Sequence, residues 1–185
     1  MNIIETDIPD IKLLEPRVFG DERGFFMETF RDSWFRENVA DVTFVQDNHS
    51  KSRQGILRGL HYQEQQPQGK LVRVVSGEVY DVAVDVRPGS PSFGQWVGCF
   101  LSAEDKRQLW VPAGFAHGFM VTSGSAEFVY KCTDYYHPDS ERSIRWDDPD
   151  LAIDWPVERV GEVMLSEKDK NGMSFSEVKA GASSR

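Results

Sequence analysis

The chain has 185 residues, 39% hydrophobic and 28% charged, with twelve Phe and five Trp. That is the size and apolar content of one compact domain and excludes a disordered chain. The formal net charge of -9 argues against general binding to nucleic acid or to an anionic membrane, although a local cluster of Arg and Lys can still hold a small anion.

The opening, MNIIETDIPD, is acidic and lacks the apolar centre of a signal peptide. GFFMETF and DVTFVQDNHS read as strands, with a short helix at DSWFREN between them. ILRGLHYQ, residues 56–63, reads as a strand, as does KLVRVV. After the turn at Ser76-Gly77, EVYDVAVDV alternates with period two. Tyr80, Val82, Val84 and Val86 fall on one face, and Asp81, Ala83 and Asp85 on the other. RPGSPSFG is a loop and QWVGCFL a strand. SAEDKRQLW opens with a capping-box pattern, Ser102 to Asp105, which predicts one helical turn. VPAGFAHGFMV and AEFVYKCT are strand-like, and SEKDKNG predicts a short helix stopped by Asn-Gly.

Many short strands with a turn about every eight to twelve residues indicate an all-β sandwich or barrel. No internal repeat or linker interrupts residues 1–173, which are expected to form a single domain. Residues 174–185, SFSEVKAGASSR, are small and polar and are expected to be a flexible tail. Cys99 and Cys132 lie in apolar runs without metal-ligand spacing, so both read as reduced thiols. No apolar run reaches the length of a membrane span. A cytoplasmic protein without membrane association is the expectation.

Within ILRGLHYQ the residues Arg58, Gly59 and His61 interrupt an apolar strand. An unpaired guanidinium is costly to bury, and glycine weakens a strand interior. Polar groups recur on other strands too, at Gln46, Asn48, Lys70, His117 and Tyr130. Taken singly, each reads more readily as a satisfied core or surface residue. Together they suggest a barrel interior that is a polar pocket. Strict alternation puts Arg58 and His61 on opposite faces. Either Gly59 marks a bulge that re-aims one of them, or one face serves a neighbouring subunit.

GLHYQ, GKLVRVVSGEVYDVAVDVR, WVPAGFAHGF, FVYKCTDYY and LSEKD together resemble the dTDP-4-dehydrorhamnose 3,5-epimerase family, from about residue 2 to about residue 170. The resemblance implies a cupin fold (a double-stranded β-helix or jelly-roll barrel with a few short helices) and a homodimer that needs no cofactor and no metal. It implies a dTDP-linked 4-keto-6-deoxyhexose as substrate, inverted at C3 and C5 to give dTDP-4-dehydro-L-rhamnose, and so a place in cell-surface polysaccharide biosynthesis. The family's base matches His61, its acid at the opposite ring face Tyr130, the carboxylate paired with the histidine Asp169, and the lysine near the C4 oxygen Lys70. Arg23, Phe26, Glu28, Gln46, Asn48, Arg58, His117, Glu141 and Lys168 match substrate-binding positions. Tyr136 matches the aromatic that stacks on thymine.

These residue types suit the chemistry. A proton α to a ketone is weakly acidic, so the site needs a base of moderate pKa and a donor for the enolate oxygen. Inversion needs a proton from the other face, which a tyrosine hydroxyl can give. Basic side chains hold the diphosphate despite the acidic whole, so a ligand phosphate compensates Arg58. Asp169 carries a second reading, because Ser166 to Asp169 is also a capping box.

Three alternatives stand beside this reading. A relative acting only at C3 or only at C5 is the nearest. A metal-dependent cupin oxygenase or isomerase would keep Pro112-Ala113-Gly114 and His117, but Gln63 and Lys70 stand where metal ligands would be needed. A non-catalytic sugar-nucleotide-binding cupin has no need for the His, Tyr and Asp set.

Overall fold

In the computed structural model, which describes residues 1–183, thirteen strands and three α-helices follow one another along the chain. The strands are β1 (Asn2–Glu5), β2 (Lys12–Glu15), β3 (Val18–Asp21), β4 (Gly24–Met27), β5 (Gln46–Arg53), β6 (Leu57–Gln63), β7 (Lys70–Ser76), β8 (Glu78–Asp85), β9 (Trp96–Ser102), β10 (Gln108–Val111), β11 (Phe115–Val121), β12 (Ser125–Cys132) and β13 (Glu141–Ser143). The helices are α1 (Asp32–Asn38), α2 (Glu167–Lys170) and α3 (Phe175–Ser183). One antiparallel sheet has the order β1-β2-β10-β7-β12-β5, the other β13-β6-β11-β8-β9, and β3–β4 form a separate hairpin. The two large sheets face each other as the jelly-roll barrel expected from the sequence.

Three apolar clusters hold the layers. The first lies between the sheets, where Val72, Val74, Leu109 and Phe128 of one meet Ala83, Leu101 and Phe119 of the other. The second covers the outer face of the five-stranded sheet, where Val82, Val84 and Met120 meet Ile144, Leu151, Trp155 and Phe175. The third sets Phe35 of α1 against Leu14, Leu71 and Trp110 on the outer face of the six-stranded sheet. The alternation in β8 therefore separates two buried surfaces, and this is why almost all of that strand is inaccessible. Asp85 is part of the inaccessible set. It accepts hydrogen bonds from the Arg87 guanidinium, Ser90 and Ser92, and these outweigh its burial and lower its pKa to about 2.

One expectation is corrected. The described part of residues 174–185 is not a loose tail. Ser174 and Glu177 cap the start of α3 through reciprocal hydrogen bonds. Phe175 and Val178 are 2% and 7% exposed, and burying a side chain of this size contributes about 1.5–3 kcal/mol. Residues 184 and 185 lie outside the described residues. The helical turn predicted after Ser102 forms as a single turn, in which the Lys106 N–H donates to the Ser102 carbonyl at 3.1 Å. The reciprocal Ser102–Asp105 hydrogen bonds form with it, but β9 ends at Ser102 and β10 begins at Gln108. Too few residues remain between them for the helix to propagate further.

Candidate active site

The parity question at β6 is resolved by a bulge. His61 lies opposite His117, but Arg58 lies opposite Phe119, so β6 spends one residue more than β11 over this stretch. Gly59 sits at the slip with φ of 121°. A Cβ on it would lie 2.6 Å from the Gly118 Cα of β11, closer than any side chain tolerates, so the bulge needs a residue without one. The extra residue puts Arg58 and His61 on the same wall of one cavity. Arg58 is exposed there and donates to Ser52 Oγ at 3.0 Å; it is not a buried charge.

That cavity has a volume of about 470 Å³ and is lined by Arg58, His61, Lys70, His117, Tyr130 and Asp169 among others. The five-stranded sheet supplies Arg58, His61 and His117, the six-stranded sheet Lys70 and Tyr130. His61 donates from Nε2 to Asp169 Oδ1 at 2.5 Å. Burial would raise the Asp169 carboxyl, but hydrogen bonds from His61 and the Gly59 N–H outweigh it and hold the carboxyl below its ordinary value. Asp169 also occupies the capping-box position read from the sequence. Its backbone N–H donates to Ser166 Oγ in the cap, which aims its carboxylate at the imidazole. Asp169 is 3% exposed and Ser143 Oγ also donates to it, so the far side of His61 is fixed.

Lys70 and Tyr130 complete the inner wall. Protein surrounds the Lys70 ammonium on the sides away from the cavity, and this burial lowers its pKa, against the pull of Cys132, Glu141 and Asp81. Burial likewise raises the Tyr130 hydroxyl, which keeps it protonated at neutral pH.

A second, smaller cavity of about 90 Å³ is lined by His61, Lys70, Tyr130, Tyr136 and Glu141 among others. Tyr136 donates from its hydroxyl to Glu141 Oε2 at 2.8 Å, and Lys168 pairs with the same oxygen. Burial would raise the Glu141 carboxyl, but these two contacts leave it lowered. Gln46 accepts from the Tyr136 N–H and donates to Asn48, and Asn48 reaches Cys132 Sγ at 3.6 Å. The structure thus gathers eleven of the residues singled out from the sequence.

Three others lie apart. Arg23 pairs with Asp21, Glu28 pairs with Arg31, and Phe26 is 71% exposed. None of the three lines either cavity. One buried group escaped the sequence reading. Asp81 of β8 is fully inaccessible and accepts from His117 Nε2 at 2.8 and 3.0 Å. In the sequence it was simply the polar half of an alternating strand. Its signal was that both faces of β8 carry apolar residues, so a carboxylate on either needs a partner. Among the described residues no three His, Cys, Asp or Glu side chains gather in a metal-binding group, and no helix is long and apolar enough to cross a membrane.

A carboxylate-oriented histidine that faces a protonated tyrosine across a cavity, with a lysine on the tyrosine's wall, equips an acid–base isomerase working beside a carbonyl. The comparisons narrow that class. Residues 5–177 match the family described as dTDP-4-dehydrorhamnose 3,5-epimerase. The epimerase of that name from Pseudomonas aeruginosa is 61% identical over 179 residues, which cover 96% of this chain and 98% of that protein. The one from Neisseria gonorrhoeae is 59% identical over 182 residues, 98% of this chain. The chain spans only 55% of that relative's own length. The crystal structure of a Legionella pneumophila dTDP-6-deoxy-D-glucose-3,5-epimerase in complex with dTDP-4-keto-L-rhamnose superposes with a TM-score of 0.93 at 57% identity, covering 98% of this chain and 96% of that one. The chain belongs to the dTDP-4-dehydrorhamnose 3,5-epimerase family. It is an isomerase, and its reaction inverts C3 and C5 of dTDP-4-dehydro-6-deoxy-D-glucose beside the C4 ketone.

Proposed function

We propose that His61 is the base of this reaction at both carbons and Tyr130 the acid at the opposite face. The observation that carries this is the His61–Asp169 contact, set on one sheet across a shared cavity from the tyrosine of the other. His61 Nδ1 removes the proton α to the ketone, and the electron pair moves onto the C4 oxygen. Lys70 stabilises that enolate, and its lowered pKa lets it share a proton with the oxygen readily. Tyr130 then protonates the carbon from the other side. Asp169 fixes the imidazole tautomer and stabilises the imidazolium.

Arg58, His117, Gln46, Asn48 and Lys168 bind the sugar and the diphosphate, and Tyr136 stacks on thymine. Arg23, Phe26 and Glu28 serve the cavity of a second copy in a homodimer. What supports this is their distance from the cavity of their own chain and the exposure of the hairpin. Phe19 and Phe25 on it are 51% and 60% exposed, an apolar surface that a partner would cover. Both cysteines are free, which suits the reducing cytoplasm.

Incubation with dTDP-4-keto-6-deoxyglucose in D₂O tests the reading. Deuterium is expected at C3 and at C5. Label at one carbon alone would overturn double action through a single base.

A further inference from the structure

Two inversions by one base and one acid set a proton balance. Each inversion breaks one C–H bond with His61 as acceptor and forms one C–H bond with Tyr130 as donor. The electron pair moves to the C4 oxygen and returns. Afterwards His61 carries an extra proton and Tyr130 is a phenolate, so neither can act again. The second inversion requires a proton to leave His61 and a proton to reach Tyr130 while the sugar is still bound.

The geometry contains a route. His61 Nε2 is engaged by Asp169, so Nδ1 is the nitrogen that collects the substrate proton. Nδ1 lies 3.9 Å from Glu141 Oε1. That is too long for a hydrogen bond, but a side-chain swing of about 1 Å closes it. The other oxygen of Glu141 accepts from Tyr136, which is 53% exposed. The small polar cavity joins the same groups. His61, Tyr130, Glu141 and Tyr136 all line it. Its volume of about 90 Å³ leaves room for a few ordered waters, each needing roughly 30 Å³ in the liquid.

We propose that Glu141 and this small cavity form a proton relay that resets His61 and Tyr130 between the two inversions. The proposal rests on the assignment of His61 as base and Tyr130 as acid. Glu141 takes the proton from His61 Nδ1 and passes it to water in the cavity, and water gives a proton to the Tyr130 phenolate. The sum is one proton moved from His61 to Tyr130, with no net gain or loss. Contacts from Lys168 and Tyr136 keep the Glu141 carboxyl ionised, so it is a way-station and not a store. Glu141 acts through His61 and is a relay residue, distinct from the groups that touch the reacting carbons.

Glu141→Gln tests this. The amide keeps the size and can still accept from Tyr136, but it cannot carry the proton. The reaction is run in D₂O, and NMR gives the ratio of singly to doubly inverted sugar. In the variant that ratio is expected to rise about tenfold or more. Rising concentrations of formate or imidazole should bring it back, because a small acid can ferry the proton instead. Glu141→Asp, which keeps a carboxylate, should invert both carbons without added buffer. Thermal melting confirms that each variant is folded. A wild-type ratio in Glu141→Gln overturns the relay, and so does an equal loss at both carbons that no buffer restores. If the native enzyme itself labels only one carbon, the assignment of His61 and Tyr130 fails first and the relay falls with it. Native double labelling beside an unaltered Gln variant overturns the relay alone.

Discussion

The wall built by β6, β7, β11 and β12 and the hairpin β3–β4 both carry residues matched to the family's substrate site, yet they sit in opposite physical situations. In the wall, His61, Lys70, His117 and Tyr130 are locked by neighbouring strands, and their polar atoms are partnered within the chain or face a cavity. In the hairpin, Arg23 and Phe26 project from a two-stranded ribbon whose residues are nearly all exposed. A two-stranded ribbon alone is marginally stable in water, so its shape depends on what it rests against. The proposed catalytic groups are held within one chain, and the hairpin is left exposed.

Substitutions in the two regions should separate them. The largest effect is expected from His61→Ala, which removes the proposed base. Solvent exchange at C3 and C5 should fall by roughly 10²- to 10⁴-fold, while calorimetry should show dTDP binding nearly intact. Retained exchange at either carbon would move the base elsewhere. Tyr130→Phe comes next. It removes one oxygen and little packing, so deuterium should still enter the sugar through His61, but net inversion at both C3 and C5 should fail. Completed C5 inversion at a near-native rate would make Tyr130 a core aromatic only.

A smaller effect sharpens the contrast from the hairpin side. Arg23→Glu should raise KM with little change in kcat. At substrate concentrations well below that raised KM, mixing Arg23→Glu with His61→Ala subunits should then restore activity. Half of the dimers are mixed, and one of the two sites in each is assembled from native parts, so about a quarter of native turnover should return. No recovery on mixing would show that each hairpin serves its own chain.

The smallest expected effect lies outside both regions. The Asp85 carboxyl titrates at about 2 in the folded protein, against 3.8 for the ordinary value. As pH falls, the unfolded chain binds this proton before the folded one does. Asp85 therefore contributes about 2 kcal/mol above pH 4, lost as the pH falls through 2. Asp85→Asn should lower the melting temperature at neutral pH and flatten its fall in acid. An unchanged acid limb would assign the loss to another carboxylate.

The sequence shows much of this layout, and the misses have physical causes. Period two in β8 correctly sorted its residues onto two faces, but it could not say that both would be covered, and for that reason Asp81 was not singled out. The placing of Arg58 beside His61 depends on the close approach of Gly59 to Gly118, which are 59 residues apart in the chain; no local pattern encodes that contact. α3 was legible, since Ser174-Phe175-Ser176-Glu177 is a capping box around an aromatic, but small polar composition masked it. That Arg23, Phe26 and Glu28 stand apart from His61 is invisible to any pattern along one chain, because the ribbon that carries them pairs only with itself.

The docking of α3 has a practical consequence. Phe175 and Val178 close the apolar layer behind β6 and β11, the strands that carry His61 and His117. Trimming the chain after Met173, a natural cut for anyone who reads the last dozen residues as dispensable, would strip the cover from Phe93, whose ring packs at a tilt against Phe175 with centroids 5.3 Å apart, and from the sheet beneath it. The shortened protein would be prone to clump, and its activity would fade through a loosened floor under the imidazoles and not through any lost contact with the sugar.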